Sequence, residues 1–314
     1  MSKVYEISIL GRAIWDLHSL NNEGTVGNVT EPRTVVLADG TKTDGISGEM
    51  LKHIHVAKMW ELEKNKKNFC EACQVLEPSR IDRVFQKMKK DERKDYTFEK
   101  AAGKAISECA ICDLHGFLVQ KPTGARPSTI EFGWALGIPK IYRDIHVHAR
   151  HALGEKGKED TKKGDEEEAE VETTQMIYHR PTRSGMYAIV SLFQPWRIGL
   201  NNVNFKYDID LKERKRRYEL ALKAYQAMFL RMDGAMTTTR LPHLEEFEGV
   251  IVVSNDNFPA PVVSPLNSGY KEKLKTIHNK IGAFEILEFN SISDFVSRIN
   301  EITSRDIYTI GDSK

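Results

Sequence analysis

GVIVVSN (249–255), SGYKEKLKTIHNKIG (268–282), AFEILEF (283–289) and SISDFVSRINEITS (291–304) follow one another near the end of the chain. The first is a continuous apolar run of strand length and reads as a buried strand. The second reads as a helix. The third is a strand again. The fourth is a helix that Ser291 or Ser293 can cap. Strand, helix, strand, helix in this tempo places the chain among α/β or α+β folds.

The N-terminal end agrees. Tyr5, Ile7 and Ile9 alternate with Glu6 and Ser8, which reads as a half-buried strand. SLNNEGTVGNVTEPRTVVLADGTKTDGISGEM (19–50) has little periodicity and reads as a long loop, with a short hairpin around VVLADGTKT where Asp39-Gly40 signals a turn. A helix starts at Ser47, its cap, with Glu49 in the first turn. Met50, Leu51, Ile54 and Ala57 share one face of it, with Lys52 and His55 opposite. CDLHGFLVQ leads into a strand. Asp210 caps a helix over LKERKRRYELALKAYQAMFLRM (211–232), closed by Asp233-Gly234.

In the middle, IYRDIHVHARHAL alternates, with Ile145, Val147 and Ala149 opposite His146, His148 and Arg150. TTQMIYHRP and RSGMYAIVSLF resume strand character after residues 154–173. Residues 155–172 carry nine acidic and four basic side chains, a net of −5, so the rest of a +1 chain carries +6. That segment cannot bury enough surface to order itself. Two strands flanking it suggest a long projecting hairpin, and an inter-domain linker is the alternative.

All four cysteines of the 314 residues fall in two CxxC pairs, Cys70/Cys73 and Cys109/Cys112. The intervening 35 residues, 74–108, exceed common zinc-ribbon spacing but suit a helical insertion. Structural zinc, a pair of disulfides and plain buried cysteines all remain open. Four cysteine ligands would close a metal site to catalysis. No apolar run approaches the ~20 residues that span a bilayer, and the N-terminus makes no convincing signal peptide, so a cytoplasmic protein is expected.

Other groups admit two readings each. His146, His148 and His151 could bind metal, or face solvent or RNA. KERKRR (212–217) puts positive charge on a helix N-terminal turn, where it is mildly unfavourable. That hints at an anionic partner, and a solvated face is the plainer alternative. GAMTTTRLPH (234–243) and SGEMLKH (47–53) combine small residues, hydroxyls and a cation, and each could hold phosphate. There is no Walker A loop, dinucleotide fingerprint, nucleophile elbow or HExxH.

In order, the N-terminal strand with SLNNEGTVGNVTEPRT, then GISGEMLKHIH, then CDLHGFL, then GAMTTTRLPH before an apolar strand, resemble the DevR-type backbone subunit of type I CRISPR effector complexes (Cascade), close to the archaeal Csa-type branch. The resemblance covers most of the chain. It implies an α+β fold with a modified RNA-recognition-motif (ferredoxin-like) core. The palm would be residues 1–63, 113–145 and 185–314. A helical finger insertion with the paired CxxC would be 64–112, and a thumb hairpin with an acidic tip 146–184. It implies a non-enzymatic protein that binds crRNA through its phosphate backbone. Copies of itself and other Cascade subunits would assemble along the guide and present it to a target DNA strand. RNA contacts would come from Asn28 and Arg33, from Ser47, Gly48, Lys52 and His53, from Thr237, Thr239 and Arg240, and from Met176 and Tyr178 on the thumb. Cys70, Cys73, Cys109 and Cys112 would hold a structural zinc in the insertion. Two rivals stand beside this: a metal-dependent nuclease or hydrolase using the histidine cluster, and the backbone subunit of an RNA-targeting complex that cuts with an aspartate of the first long loop, here Asp39 or Asp44.

Overall fold

The computed structural model of the chain describes residues 3–89, 91–92, 96–153, 173–234 and 236–311, without the side chains of 150–153 and 173–176. The acidic segment 155–172 and the side chains of His151 and Met176 therefore lie outside the described residues.

A large, mainly antiparallel sheet organises the molecule, in the order β13-β12-β1-β11-β9-β5-β4. Its spine is β1 (Glu6–His18) between β11 (Thr173–Phe193) and β12 (His243–Ser254). β13 (Phe284–Phe289) extends it beyond β12. β9 (Ala135–Gly137), β5 (Lys42–Ile46) and β4 (Thr34–Val36) extend it beyond β11. β8 (Ile130–Phe132) also pairs with β11, and β6 (Phe117–Val119) with β7 (Gly124–Arg126) forms a separate ribbon.

Helices cover both faces. On one lie α1 (Gly48–Leu62), α6 (Leu211–Leu230) and α8 (Ile292–Thr303). They pack Leu51, Ile54, Tyr218, Leu222, Phe229, Phe295 and Ile299 onto Ile7, Ile9, Ala13 and Trp15. On the other, α7 (Tyr270–Ile281) sets Tyr270 and Leu274 over Leu10, Val250 and Val252. The first strand is thus buried on both faces, not one. Even its polar residues are enclosed: Glu6 accepts from Gln194 and from the Ala260 amide, and Ser8 donates to the Pro261 carbonyl. Strict alternation could not report this, because a loop far along the chain supplies the second cover.

Among the described residues from 71 to 115 lie short helices: α2 (Glu71–Gln74), α3 (Asp82–Lys87), α4 (Phe98–Glu108) and α5 (Ala110–His115). Cys112 to His115 are therefore helical, and the strand begins only at Phe117, past Gly116 in the left-handed region (φ 69°). The hairpin expected around Asp39-Gly40 is β4 with β5, and the rest of the expected long loop holds a second hairpin, β2 (Asn22–Val26) with β3 (Val29–Pro32). β10 (Tyr142–Leu153) pairs antiparallel with β11 from Tyr142↔Ser184 to Leu153↔Thr173, as the hairpin expectation required and the linker alternative did not.

Three side chains expected outside are inside. His55 is fully buried, donating to the Ala221 carbonyl at 3.0 Å and accepting at Nδ1 from His115 at 3.0 Å. The basic start of α6 is largely interior. Arg214 and Arg217 are buried, Arg217 pairs with Asp113, and Arg216 pairs with Glu63 and Glu213. Aligned carboxylates offset the unfavourable helix-dipole placement, so the charge run needs no outside anion.

Candidate nucleic-acid interface and metal site

Register builds the first group of candidate residues. Strand alternation gives the β10–β11 hairpin two faces. Opposite pairs His146↔Arg180 and His148↔Tyr178 share one, and Val147↔His179 lies on the other. On the polar face the His148 ring stacks on Tyr178, centroids 5.4 Å apart and 15° from parallel. The Arg180 guanidinium sits 5.1 Å over the same Tyr178 ring. Arg240 arrives from the 234–240 loop, donating to His148 Nε2 at 2.8 Å and to Thr239 at 3.2 Å. Desolvation, then Arg240, His146 and Arg180, lower the His148 pKa, which favours the neutral ring that accepts from Arg240. Among the described residues neither Arg180 nor Arg240 has a carboxylate partner.

Met236 ties the loop down. Its sulfur meets Asn22 (3.0 Å), Arg180 (3.6 Å) and Ser19 (3.9 Å). Thr237 donates to the Gly234 carbonyl at 3.0 Å. Met50 of α1 fills the space a side chain at Gly234 would need, so loop and helix start touch. Ser47 caps α1, accepting from the Met50 amide at 3.3 Å, and its own amide donates to Asn21 at 2.6 Å. Asn28, at the β2–β3 turn, joins the same hairpin: its carbonyl accepts from the His179 amide at 2.8 Å.

Not every expected residue gathers there. Arg33 faces Trp134 (5.8 Å) and Glu23 (3.8 Å). Gly48 is buried against the Phe132 carbonyl, where a Cβ would collide, so its role is close packing. Lys52 and His53 lie further along α1 and line a separate cleft with Arg80. The sequence singles out His148, as a contact for metal, solvent or RNA, but not Arg180, Met236 or Arg80. Arg180 and the partner of His148 emerge only with the hairpin register, which sets His146 opposite Arg180 and His148 opposite Tyr178 on one face. Arg80 comes close only through the tertiary fold.

The cysteines converge. All four are buried and their sulfurs lie within 4.8 Å of one another. Cys112 is 3.9 Å from Cys70 and 3.8 Å from Cys73. Ligands ~2.3 Å from a tetrahedral zinc stand ~3.8 Å apart, so the cluster already has the required size. Burial first, then the other thiols, pushes the Cys112 pKa well above its ordinary value, while the surrounding sulfurs pull Cys70 down. A cation at the centre relieves that conflict. Among the described residues this is the group of side chains able to hold a metal. His146 bonds Thr182 at 2.8 Å and His148 is engaged by Arg240, so those two do not form a ligand set.

Asp44 is fully buried, held by Arg143 at 2.9 and 3.0 Å with Arg183 at 3.8 Å, and Asp39 accepts from its own turn at Thr41. Asp44 is thus enclosed, and Asp39 is exposed at its turn. No described helix is long and apolar enough to cross a membrane.

A family model for the CRISPR-associated negative auto-regulator DevR/Csa2 matches residues 9–275. The chain belongs to the DevR/Csa2 family. A relative of this DevR/Csa2 protein, the CRISPR-associated protein Cas7/Cst2/DevR of Methanocaldococcus jannaschii, is 26% identical over 323 residues, covering 96% of this chain and 98% of the relative. Two solved chains, from a CRISPR RNA-guided surveillance complex in a pre-nicking state and from a CRISPR RNA-guided surveillance complex, are each 11% identical. Both cover 95% of this chain and 99% and 98% of their own, with TM-scores of 0.49 and 0.48.

Proposed function

We propose that this DevR/Csa2-family protein is the repeated guide-binding backbone subunit of a type I CRISPR effector complex. It binds crRNA through the phosphate backbone and assembles with further copies and other Cascade subunits along it, presenting the guide to target DNA. The observation that carries the reading is the polar face at the root of the β10–β11 hairpin. There Arg180 and Arg240, without carboxylate partners, surround a Tyr178–His148 stack. Cations for phosphates beside rings for bases suit sequence-independent binding. Ser47, Asn28, Thr237 and Thr239 supply hydroxyls and amides to fix the register of the strand. Arg33, Lys52 and His53 extend the contact, and Met176 adds an adaptable apolar contact on the hairpin.

In this reading the spine β12-β1-β11 with α1 and α6 is the RNA-recognition-like palm (1–63, 113–145, 185–314). Residues 64–112 are a finger insertion held by zinc at Cys70, Cys73, Cys109 and Cys112, and 146–184 are the thumb. The metal is structural, because four sulfur ligands leave no open position. Arg180→Ala and Arg240→Ala test the assignment with a labelled single-stranded RNA. Removing one phosphate-binding cation lowers the slope of log affinity against log salt by about 0.7. Unchanged slopes in both variants would remove this face from the interface.

A further inference from the structure

The cleft holding Lys52 and His53 has a second wall that the family reading does not supply. Lys52, His53, Val56, Cys73, Leu76 and Arg80 line a space of about 260 Å³. Lys52 and Arg80 also line an adjoining space of about 510 Å³ that runs on to His115, Gln120 and Ser128. One wall is α1 and the other is the insertion that carries the cysteines.

The charges in this trough are unevenly matched. Glu77 pairs with Arg83, and Asp82 accepts from Gln86 and from the Gln120 amide. Among the described residues Lys52 and Arg80 have no carboxylate within ion-pair distance. Burial first, then the neighbouring Arg80 charge, lowers the Lys52 pKa, while Glu131 and then Glu49, which also lines the cleft, oppose the shift without forming an ion pair. Two cations held together over an open cleft suit an anion that enters from outside.

Arg80 owes its position to both halves of the cysteine cluster. Its backbone lies in the left-handed region (φ 51°), as does that of Leu76 (φ 55°), which a side chain adopts only when its surroundings hold it there. The holding bonds run to the first CxxC: Gln74 donates to the Cys70 carbonyl (2.9 Å), Leu76 to Cys73 (3.2 Å) and Glu77 to Ala72 (2.9 Å). The guanidinium donates to the carbonyls of His115 (2.7 Å) and Gly116, at the end of the short helix that begins beside Cys109 and contains Cys112. An ion that joins the two CxxC pairs therefore fixes both the backbone and the head of Arg80.

We propose that metal bound at the four cysteines sets the affinity of the Lys52–Arg80 cleft for the phosphates of single-stranded RNA, with Arg80 as the contact the metal positions. This rests on the guide-binding reading, and adds to it a phosphate-binding residue and a dependence on metal. Loss of the ion frees the two CxxC segments from each other, Arg80 leaves the cleft, and its hold on one phosphate goes with it.

The test uses the full chain and a fluorescein-labelled oligouridylate followed by anisotropy across a salt series. Zinc is quantified, removed with a chelator and restored as zinc alone. Arg80→Ala in the zinc-loaded state is expected to lower the salt slope by about 0.7. Zinc removal is expected to do the same to the wild type, to add nothing in Arg80→Ala, and to reverse on restoring zinc. Arg80→Lys keeps the charge but loses the planar guanidinium, whose Nη1 holds both carbonyls while its other nitrogens face the cleft's ligand, and is expected to bind RNA like Arg80→Ala at full zinc content. That variant decides the matter if the metal-free chain loses its helical circular dichroism. Equal losses on zinc removal in wild type and Arg80→Ala, or wild-type binding by both Arg80 variants, would overturn the proposal while leaving the hairpin face intact. A peptide of residues 155–172 that displaces RNA from wild type but not from Arg80→Ala would assign the cleft to an acidic segment and overturn it too. A zinc-loaded wild type that binds no RNA would overturn this inference and the guide-binding reading together.

Discussion

Replacing Asp113 with asparagine probes whether the KERKRR run belongs to the interior. Asp113 is fully buried and serves two buried arginines. One carboxylate oxygen accepts from Arg126 at 2.6 Å, the other from Arg217 at 2.9 Å, and both accept from the Gly199 amide at 3.0–3.1 Å. Removing one partner of a buried pair costs about 3–5 kcal/mol, because the remaining charge stays buried. Here the lower end applies. Arg217 keeps Glu213 at 2.7 Å and the Ile106 carbonyl at 2.6 Å, and Arg126 keeps the carbonyls of Asp113, Leu200 and Arg197. For 314 residues at about 2.1 cal/mol/K each, the unfolding entropy is roughly 0.66 kcal/mol/K, so a loss of about 3 kcal/mol lowers Tm by about 4–5 °C. Scanning calorimetry reads this directly. Exposed Lys212 is the control, and Lys212→Gln should change stability by less than about 0.5 kcal/mol. RNA affinity at 25 °C should stay at the wild-type value in both. An Asp113→Asn protein within about a degree of wild type, or one with normal Tm and altered RNA affinity, would refute the interior assignment.

Other perturbations follow from the same structure. Burial first, and then Arg183, holds His18 at a pKa of about 3, and burial holds His55 at about 3 against the pull of the Ala221 carbonyl. Both folded values lie below the unfolded value, so stability is complete above pH ~6.5 and falls as pH drops. At pH 5 each group contributes a loss of about 2 kcal/mol, which urea titration between pH 7 and 5 measures; a flat profile would contradict their burial as neutral rings. Gly48→Ala drives a methyl into the Phe132 carbonyl and should cost about 1–3 kcal/mol, read as a shifted urea midpoint; a neutral result would mean α1 can withdraw from β8. Cys112→Ser removes the sulfur closest to two others and should abolish bound zinc by elemental analysis and lower Tm, whereas full zinc content would point to a different ligand set.

Local chemistry made much of the framework readable. Ser47, Asp210 and Ser291 each cap a helix, as side-chain acceptors at N-caps do, and the alternation around β10 and β11 announced the hairpin. What stayed hidden depended on partners distant in sequence. Glu6 and Ser8 look like an exposed face until the loop at 260–261 covers them. His55 looks like the polar side of α1 until His115 and Ala221 take both its nitrogens. Arg214 and Arg217 look like a surface stripe until α5 and the C-terminal segment enclose them. The candidate interface shows the same division. Thr239 and Arg240 were legible from composition, but their neighbours Arg180 and His148 required the register of a hairpin.

The central claim is tested most directly by what the protein carries when purified without nuclease at low salt. The account predicts a large ribonucleoprotein whose extracted RNAs are of uniform length and share repeat-derived ends, dispersing as salt rises. A clean monomer that ignores single-stranded RNA at low salt would contradict it.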